Sequence, residues 1–175
     1  MSISDGKNIV LIGFMGTGKS TVGKILARSI GYRQIDIDQF IEEKEKRKIA
    51  DIFEKDGEAV FRKLEKEMIL WASQEKSSVI TTGGGAVLDP ENTQALAANG
   101  HIVALTASPD TIYQRVRRSG HRPLLKTQDM LGEIRNLLQV RKPYYEKADV
   151  SFVTDRLKPM DTARQIEEWL KTHGR

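Results

Sequence analysis

Short apolar runs alternate with amphipathic stretches along the whole chain. The stretches have apolar residues three and four positions apart, first over about 19–30 and then up to about 74, which predicts helices. This alternation is typical of a parallel sheet with helices on both faces. No shift in composition marks a linker, and 175 residues suit one compact unit, so we predict a single α/β domain over 1–175. The runs predicted as strands are 9–12, 34–37, 78–82, 101–106 and 150–153.

One amphipathic stretch carries an apolar stripe, made by Phe61, Leu64, Met68 and Trp71. Their three- and four-residue spacing predicts a helix that packs this stripe against the core. The charged run 42–48 is instead expected to be a solvated helix face without chemistry.

The charge balance of the chain is mildly basic. Lys and Arg number 28 against 24 Asp and Glu, a net charge of +4, which a small anionic substrate explains as well as a nucleic acid does. We therefore expect no nucleic-acid partner.

The chain has no cysteine, which excludes disulfides and thiolate metal sites. No apolar run approaches the ~18–20 residues that span a bilayer, and no signal peptide is visible, so we expect a cytoplasmic protein without a membrane partner.

A complete phosphate-binding loop, G-F-M-G-T-G-K-S-T, follows the first predicted strand at 13–21. Its glycines let backbone amides turn towards a polyphosphate, the Lys19 ammonium reaches the β and γ phosphates, and the Ser20 hydroxyl is placed to bind Mg²⁺. The alternative is a glycine-rich turn before a surface helix. The predicted nucleotide-binding residues of this loop are Gly16, Thr17, Gly18, Lys19, Ser20 and Thr21.

Two carboxylates, Asp36 and Asp38, end the second predicted strand. A period of two places both on one side of an extended segment, at the sheet edge where such folds bind ligands. Like charges this close need compensation, so we expect Mg²⁺ beside Asp36 and substrate beside Asp38. The alternative is that Asp38 only caps the next helix.

Three consecutive glycines, Gly83, Gly84 and Gly85, follow the third predicted strand. They allow a ligand to approach the main chain closely, although a tight turn is the simpler explanation. Threonine and glycine stand where a Walker B aspartate would be expected. Metal binding is therefore assigned to Ser20 and Asp36.

Several arginines lie at the ends of predicted elements, where their planar guanidinium groups could capture an anion. Surface decoration is the alternative for each of them. The basic stretch 117–123 lies between two helical patterns, as a cover over a phosphate site would. No histidine pair has metal-ligand spacing, and no role is assigned to His101, His121 or His173. The arginines singled out are Arg62, Arg122, Arg141 and Arg156.

Taken together, these motifs resemble one family over nearly the full chain. The phosphate loop, D-I-D, F-R-K-L-E, G-G-G, R-P-L-L and R-K-P-Y-Y occur in the order and spacing found in shikimate kinase. The alternatives are a gluconate or nucleotide kinase on the same fold, or a nucleotide-dependent switch. No guanine-reading N-K-x-D is present, which argues against a GTPase switch.

The resemblance implies a three-layer α/β/α P-loop kinase fold with a five-stranded parallel sheet in the order 2-3-1-4-5. It also implies a lid at about 117–127 and a substrate-binding helical region at about 36–64. The implied reaction transfers a phosphoryl group from ATP to the 3-hydroxyl of shikimate in aromatic amino-acid biosynthesis. The co-substrate is ATP, the metal is Mg²⁺ and the expected state is a monomer.

Residue roles follow from the same resemblance. Asp38 would hold substrate hydroxyls as a general base or an orienting group, Arg62 and Arg141 would hold the carboxylate, and Gly84 would donate its amide. Lys19, Asp38 and Arg122 are the expected catalytic residues. The resemblance also implies that ATP is contacted by Arg156 and by two lid arginines, Arg122 and Arg118 (or Arg117 in place of Arg118). It implies that shikimate is surrounded by Phe53, Phe61 and Gly83–Gly85.

Overall fold

The computed structural model describes residues 6–117 and 128–173. Within these ranges, each strand is followed by one to three helices before the next element of the sheet, with a short 3₁₀ turn (Ala86–Leu88) after the third strand. The strands are β1 (Asn8–Gly13), β2 (Arg33–Asp36), β3 (Ser78–Thr81), β4 (Gly100–Thr106) and β5 (Val150–Val153). The helices are α1 (Lys19–Ile30), α2 (Ile37–Glu45), α3 (Ile49–Lys55), α4 (Glu58–Ser73), α5 (Pro90–Ala98), α6 (Pro109–Val116), α7 (Met130–Tyr145) and α8 (Pro159–His173).

The five strands form one parallel sheet in the order β2-β3-β1-β4-β5. This confirms the predicted order. Strand β1 lies in the centre, and all six of its residues are buried because strands and helices cover it on every side. Since all strands run the same way, their carboxyl ends meet at one edge of the sheet, close to Gly13, Asp36 and Thr81.

The two faces of the sheet carry two cores, which makes the three layers that were predicted. Alternate side chains of β1 point to opposite faces: Val10 and Ile12 join one core, and Ile9 and Leu11 the other. Helices α1 and α8 cover the second core, and helices between α2 and α7 cover the first. Buried contributors from these helices are Val22, Leu26, Ile166 and Leu170 on one face and Ile41, Ile52, Ile69, Leu96, Ile112 and Ile134 on the other.

The transition from β2 to α2 differs from the prediction. Helix α2 begins at Ile37, and the carboxylate of Asp36 caps it by accepting a hydrogen bond from the Gln39 amide at 3.2 Å. Asp38 therefore lies in the first helical turn and not in an extended strand. The predicted one-sided extended pair is wrong, and the capping residue is Asp36 rather than Asp38.

The buried line of α4 also runs differently. Phe61, Glu65, Ile69 and Ala72 are its fully buried residues, while the predicted Leu64, Met68 and Trp71 pack against the core from its margin. A glutamate thus occupies a core position. Across 6–117 and 128–173, no helix combines the length and apolar character needed to cross a membrane.

Candidate functional site

The phosphate loop joins β1 to α1 in a conformation that only glycine adopts without strain. Gly16 (φ 77°) and Gly18 (φ 96°) are left-handed, and a Cβ on Gly16 would approach Val116 of α6 to 2.9 Å. The loop bounds a cavity of about 200 Å³ at the N-terminus of α1, which we term the loop cavity. Amides at a helix N-terminus attract anions. Its lining is Met15, Gly16, Gly18, Lys19, Ser20, Thr21, Asp36, Asp38, Thr82, Gly83 and Gly84.

Two side chains brace the loop from inside. The Lys19 ammonium donates to the carbonyls of Gly13 (2.8 Å) and Phe14 (3.0 Å). The Thr17 hydroxyl and amide both donate to the Phe14 carbonyl, at 2.7 and 3.3 Å. Thr17 is buried and does not line the loop cavity, so its visible contribution is to the shape of the loop. The other five predicted loop residues do line it.

A second cavity of about 400 Å³ adjoins the first, and we term it the arginine cavity. The two share Met15, Asp36, Asp38, Gly83 and Gly84 as lining residues. Asp36 and Asp38 thus face both cavities although they are not on one strand, because the first turn of α2 carries Asp38 round to the same edge. The rest of the arginine cavity is lined by Gln39, Glu42, Lys48, Ile49, Ala50, Phe53, Phe61, Arg62, Glu65, Gly85 and Arg141.

Arg62 is held in the arginine cavity by two carboxylates of its own helix. It donates to Glu65 at 2.7 Å and to Glu58 at 3.0 Å, one turn away on either side. Burial lowers the pKa of Arg62, but Glu65 and Glu58 outweigh burial, so this pKa is raised above its ordinary value. The guanidinium is therefore charged and fixed in direction.

Glu65 is the last residue of the F-R-K-L-E motif, but it was not among the predicted site residues. Its side chain is only 1% exposed. Burial raises the pKa of Glu65, Arg62 lowers it and the charge of Asp38 raises it again, leaving the pKa above its ordinary value. A buried carboxylate needs its cationic partner, so Arg62 and Glu65 stabilise each other. Its place in the line Phe61, Glu65, Ile69 was the signal that could have found it.

Arg141 approaches from the opposite side, on α7. It is buried, with its guanidinium 5.3 Å from the centre of the Phe14 ring. Arg62 and Arg141 thus reach one cavity from helices that are distant in sequence. Two guanidinium groups facing one space suit a carboxylate or phosphate ligand.

The three glycines form the wall between the arginines. None has a positive φ; what excludes a side chain is the closeness of their neighbours. A Cβ on Gly83 would lie 2.7 Å from Glu65 Oε1, and one on Gly85 would lie 2.6 Å from Arg62 Nη2. The glycines therefore serve the packing of the site's own charged groups, beyond the ligand approach argued from the sequence.

An apolar wall completes the arginine cavity. The rings of Phe53 and Phe61 pack with their centres 4.8 Å apart. Phe61 is also buried in the core, so its ring belongs both to the core and to the wall of the cavity. Glu42 and Lys48, from the charged run 42–48, also line the cavity and form an ion pair at 2.7 Å.

The arginines predicted to contact the nucleotide are not among the described lining residues of either cavity. Arg156 is exposed and lines neither cavity. Arg117 ends α6, with its guanidinium 5.8 Å from the Tyr113 ring. Arg118, Arg122 and most of the predicted lid lie outside the described residues.

Oxygen donors for a hard cation are present in the loop cavity. Ser20 and Asp36 both line it, and Asp36 Oδ2 accepts from the Thr81 hydroxyl at 2.9 Å, which orients the carboxylate. Within the described ranges no group of three or more His, Cys, Asp or Glu forms a protein-only metal site. This donor set suits Mg²⁺, which keeps waters and shares phosphate oxygens.

A comparison with protein families decides the identity of this site. The family model for shikimate kinase matches residues 15–171. The chain belongs to the shikimate kinase family. It is similar to the shikimate kinase of Thermodesulfovibrio yellowstonii, with 46% identity over 160 residues (91% of this chain and 92% of that protein). It is also similar to that of Caldanaerobacter subterraneus subsp. tengcongensis, with 44% identity over 170 residues (97% and 99%).

A solved structure agrees with this assignment. Shikimate kinase from Acinetobacter baumannii in complex with shikimate matches with a TM-score of 0.94 and 34% identity, covering 97% of this chain and 96% of that one. The shikimate kinase prediction is thus confirmed, and with it the P-loop kinase fold. The activity is ATP-dependent phosphorylation of shikimate in aromatic biosynthesis.

Proposed function

We propose that shikimate lies in the arginine cavity and the triphosphate of ATP in the loop cavity, with phosphoryl transfer at their shared wall. The observation that carries this proposal is that Asp38, Gly83 and Gly84 line both spaces. An acceptor hydroxyl held by these residues faces the end of a polyphosphate held by the loop. In-line transfer requires this arrangement.

Arg62 and Arg141 hold the carboxylate of shikimate. Their two guanidinium groups offer parallel donors, and Glu65 keeps that of Arg62 directed into the cavity. The amides of Gly83–Gly85 and the rings of Phe53 and Phe61 form the polar and apolar walls around the ring of the acid. The hydroxyls of shikimate then face Asp38.

Catalysis comes mainly from positioning and charge. Lys19 and the loop amides neutralise the phosphate oxygens, and Arg122, by the family resemblance, adds a further positive charge. Ser20 and Asp36 would hold Mg²⁺, which would supply neutralisation of the negative charge of the phosphates. Gly16, Gly18 and Thr21 surround the phosphates, while Arg118 and Arg156 contact the nucleotide.

Asp38 orients the acceptor hydroxyl and accepts its proton as transfer proceeds. A positioned base is worth roughly 10²–10⁴-fold in rate. We expect Asp38→Asn, which keeps the shape and removes the charge, to lower kcat within that range. A coupled ADP-release assay measures this, and full activity of the variant would eliminate the base role.

Calorimetry of shikimate and ADP separates the two binding spaces. Arg62→Ala and Arg141→Ala are expected to lose shikimate binding and keep ADP binding. Arg33→Ala is the matched control, because Arg33 is an exposed arginine of β2 that pairs with Glu75 and lines neither cavity. Retained shikimate affinity in both cavity variants contradicts the proposal, whereas loss of both ligands indicates misfolding.

The finer expectations on partners and location stay predictions. These are a monomeric state, the absence of nucleic-acid and membrane partners, and the cytoplasm as the compartment.

A further inference from the structure

A buried phenol links α7 to the glycine wall. The Tyr145 hydroxyl donates a hydrogen bond of 2.6 Å to the carbonyl of Gly84, across 61 positions in sequence. Tyr145 is 5% exposed. A buried hydroxyl of this kind normally needs a partner, but nothing in packing alone dictates that the partner be the wall of the substrate cavity.

The same phenol faces Arg141. Tyr145 follows Arg141 by four residues, so the two lie on one face of α7. Burial raises the pKa of Tyr145 to about 12, while the charge and hydrogen bond of Arg141 act in the opposite direction. The phenol is therefore a neutral donor at working pH, placed between the guanidinium and the glycine wall.

The hydrogen bond to the Gly84 carbonyl also sets the orientation of the peptide between Gly84 and Gly85. A peptide unit is planar and trans, so the Gly84 carbonyl and the Gly85 amide point in opposite directions in one plane. Holding the oxygen from the α7 side therefore fixes the direction of the Gly85 amide. In the described part of the chain, no hydrogen bond uses the Gly84 or Gly85 amide as donor.

Gly84 itself is tightly placed. A Cβ on this residue would lie 3.2 Å from Arg141 Nη1 and 3.3 Å from the amide nitrogen of Met15 in the phosphate loop. The Gly84 peptide thus stands between the loop that holds phosphate and the arginine that holds the acid. A rotation of this peptide would disturb both neighbours.

We propose that Tyr145 is a positioning residue whose hydroxyl fixes the Gly84–Gly85 peptide and braces Arg141, so that the shikimate-binding wall is formed before shikimate arrives. This inference rests on the proposed placement of shikimate in the arginine cavity. It assigns Tyr145 no contact with substrate. Its action passes through the Gly84 carbonyl and the Arg141 guanidinium.

Tyr145→Phe removes only the oxygen atom and tests the proposal. Without the hydroxyl the Gly84–Gly85 peptide is no longer held in its binding orientation, so we expect the KM for shikimate to rise about tenfold, which corresponds to ~1.4 kcal/mol. The KM for ATP is expected to stay unchanged, and kcat to change little. Steady-state kinetics with varied shikimate and varied ATP measures this split.

Tyr144→Phe is the matched control. Tyr144 is the preceding residue of α7 and is partly buried, and the Lys147 ammonium lies 5.6 Å from the centre of its ring. This variant is expected to keep both KM values. An unchanged KM for shikimate in Tyr145→Phe would overturn the proposal, as would equal increases in both KM values, which mark a general loss of structure.

A measurement on the unsubstituted enzyme covers the case in which Tyr145→Phe does not fold. With ¹³Cζ-labelled tyrosine the chain gives four signals, and that of Tyr145 is assigned by elimination, with phenylalanine variants of the other three tyrosines. We expect this signal to shift on addition of shikimate but not of ADP. If shikimate leaves it in place while binding is confirmed by calorimetry, the positioning role is refuted. Loss of shikimate binding to the arginine cavity itself, in Arg62→Ala, tests the placement separately.

Discussion

Gly85→Ala is expected to disable shikimate binding while the fold survives. The added Cβ would lie 2.6 Å from Arg62 Nη2 and 2.9 Å from Cζ and Nη1, closer than a methyl group can stand. Gly85 itself has φ −98° and ψ −4°, which alanine adopts without strain. The guanidinium is the end of a flexible side chain, so it gives way rather than the backbone.

The size of the effect follows from what Arg62 loses. The contact proposed between Arg62 and the substrate carboxylate is a charged hydrogen bond worth about 1.5–3 kcal/mol, so its loss should raise the KM for shikimate about ten- to hundredfold. Displacement of Arg62 also removes its 2.7 Å hydrogen bond to Glu65, which lowers the free energy of unfolding by about 1–3 kcal/mol. Replacing glycine by alanine returns ~0.4–1 kcal/mol through the unfolded chain. The Tm should therefore fall by at most about 10 °C.

The assay compares four proteins: the unsubstituted enzyme, Gly85→Ala, Arg62→Ala and the double variant. If the methyl group acts by displacing Arg62, it has nothing left to displace in Arg62→Ala. The double variant should then have the shikimate KM of Arg62→Ala alone. The KM for ATP should be the same in all four, because Gly85 does not line the loop cavity.

Additive losses would refute this reasoning. If Gly85→Ala weakens shikimate binding by the same factor with and without Arg62, the methyl group acts on the glycine wall or on the substrate directly. An unchanged KM in the single variant would refute it as well, since Arg62 would then not be needed where the structure places it.

Two further predictions concern stability. Lys46 ends α2 in the left-handed region at φ 52°, so Lys46→Gly should raise the free energy of unfolding by ~1 kcal/mol, measured by urea unfolding; a loss of stability would contradict the strain. The hydroxyls of Ser108 and Thr111 lower the pKa of Asp155 below its ordinary 3.8, although burial opposes them. The ionised Asp155 carboxylate therefore stabilises the fold at pH values above its pKa in the unfolded chain. This stabilisation is lost as the pH falls through its pKa in the folded protein. The stability difference between the unsubstituted enzyme and Asp155→Asn should shrink below about pH 4, and a constant difference from pH 7 to 3 would show that the charge is not responsible.

Much of the site could be predicted because its elements are local in sequence. The phosphate loop is one continuous motif at the end of a strand, and the glycines of 83–85 follow another strand directly. Parallel strands bring such carboxyl ends to one edge, so the meeting of Lys19, Asp38 and Gly84 followed from topology. Arg62 and Arg141 could be named only through the resemblance to a family, since their spacing from each other carries no information.

The sequence by itself determined the strand and helix alternation, the phosphate loop and the family. Hydrophobic period and turn chemistry act over a few residues, and these features need nothing more. Only the tertiary structure decided that Asp36 caps a helix, that Glu65 is buried against Arg62, and that Tyr145 reaches Gly84. Each of these is a contact whose energy depends on burial and on direction across distant segments, and no local pattern records either quantity.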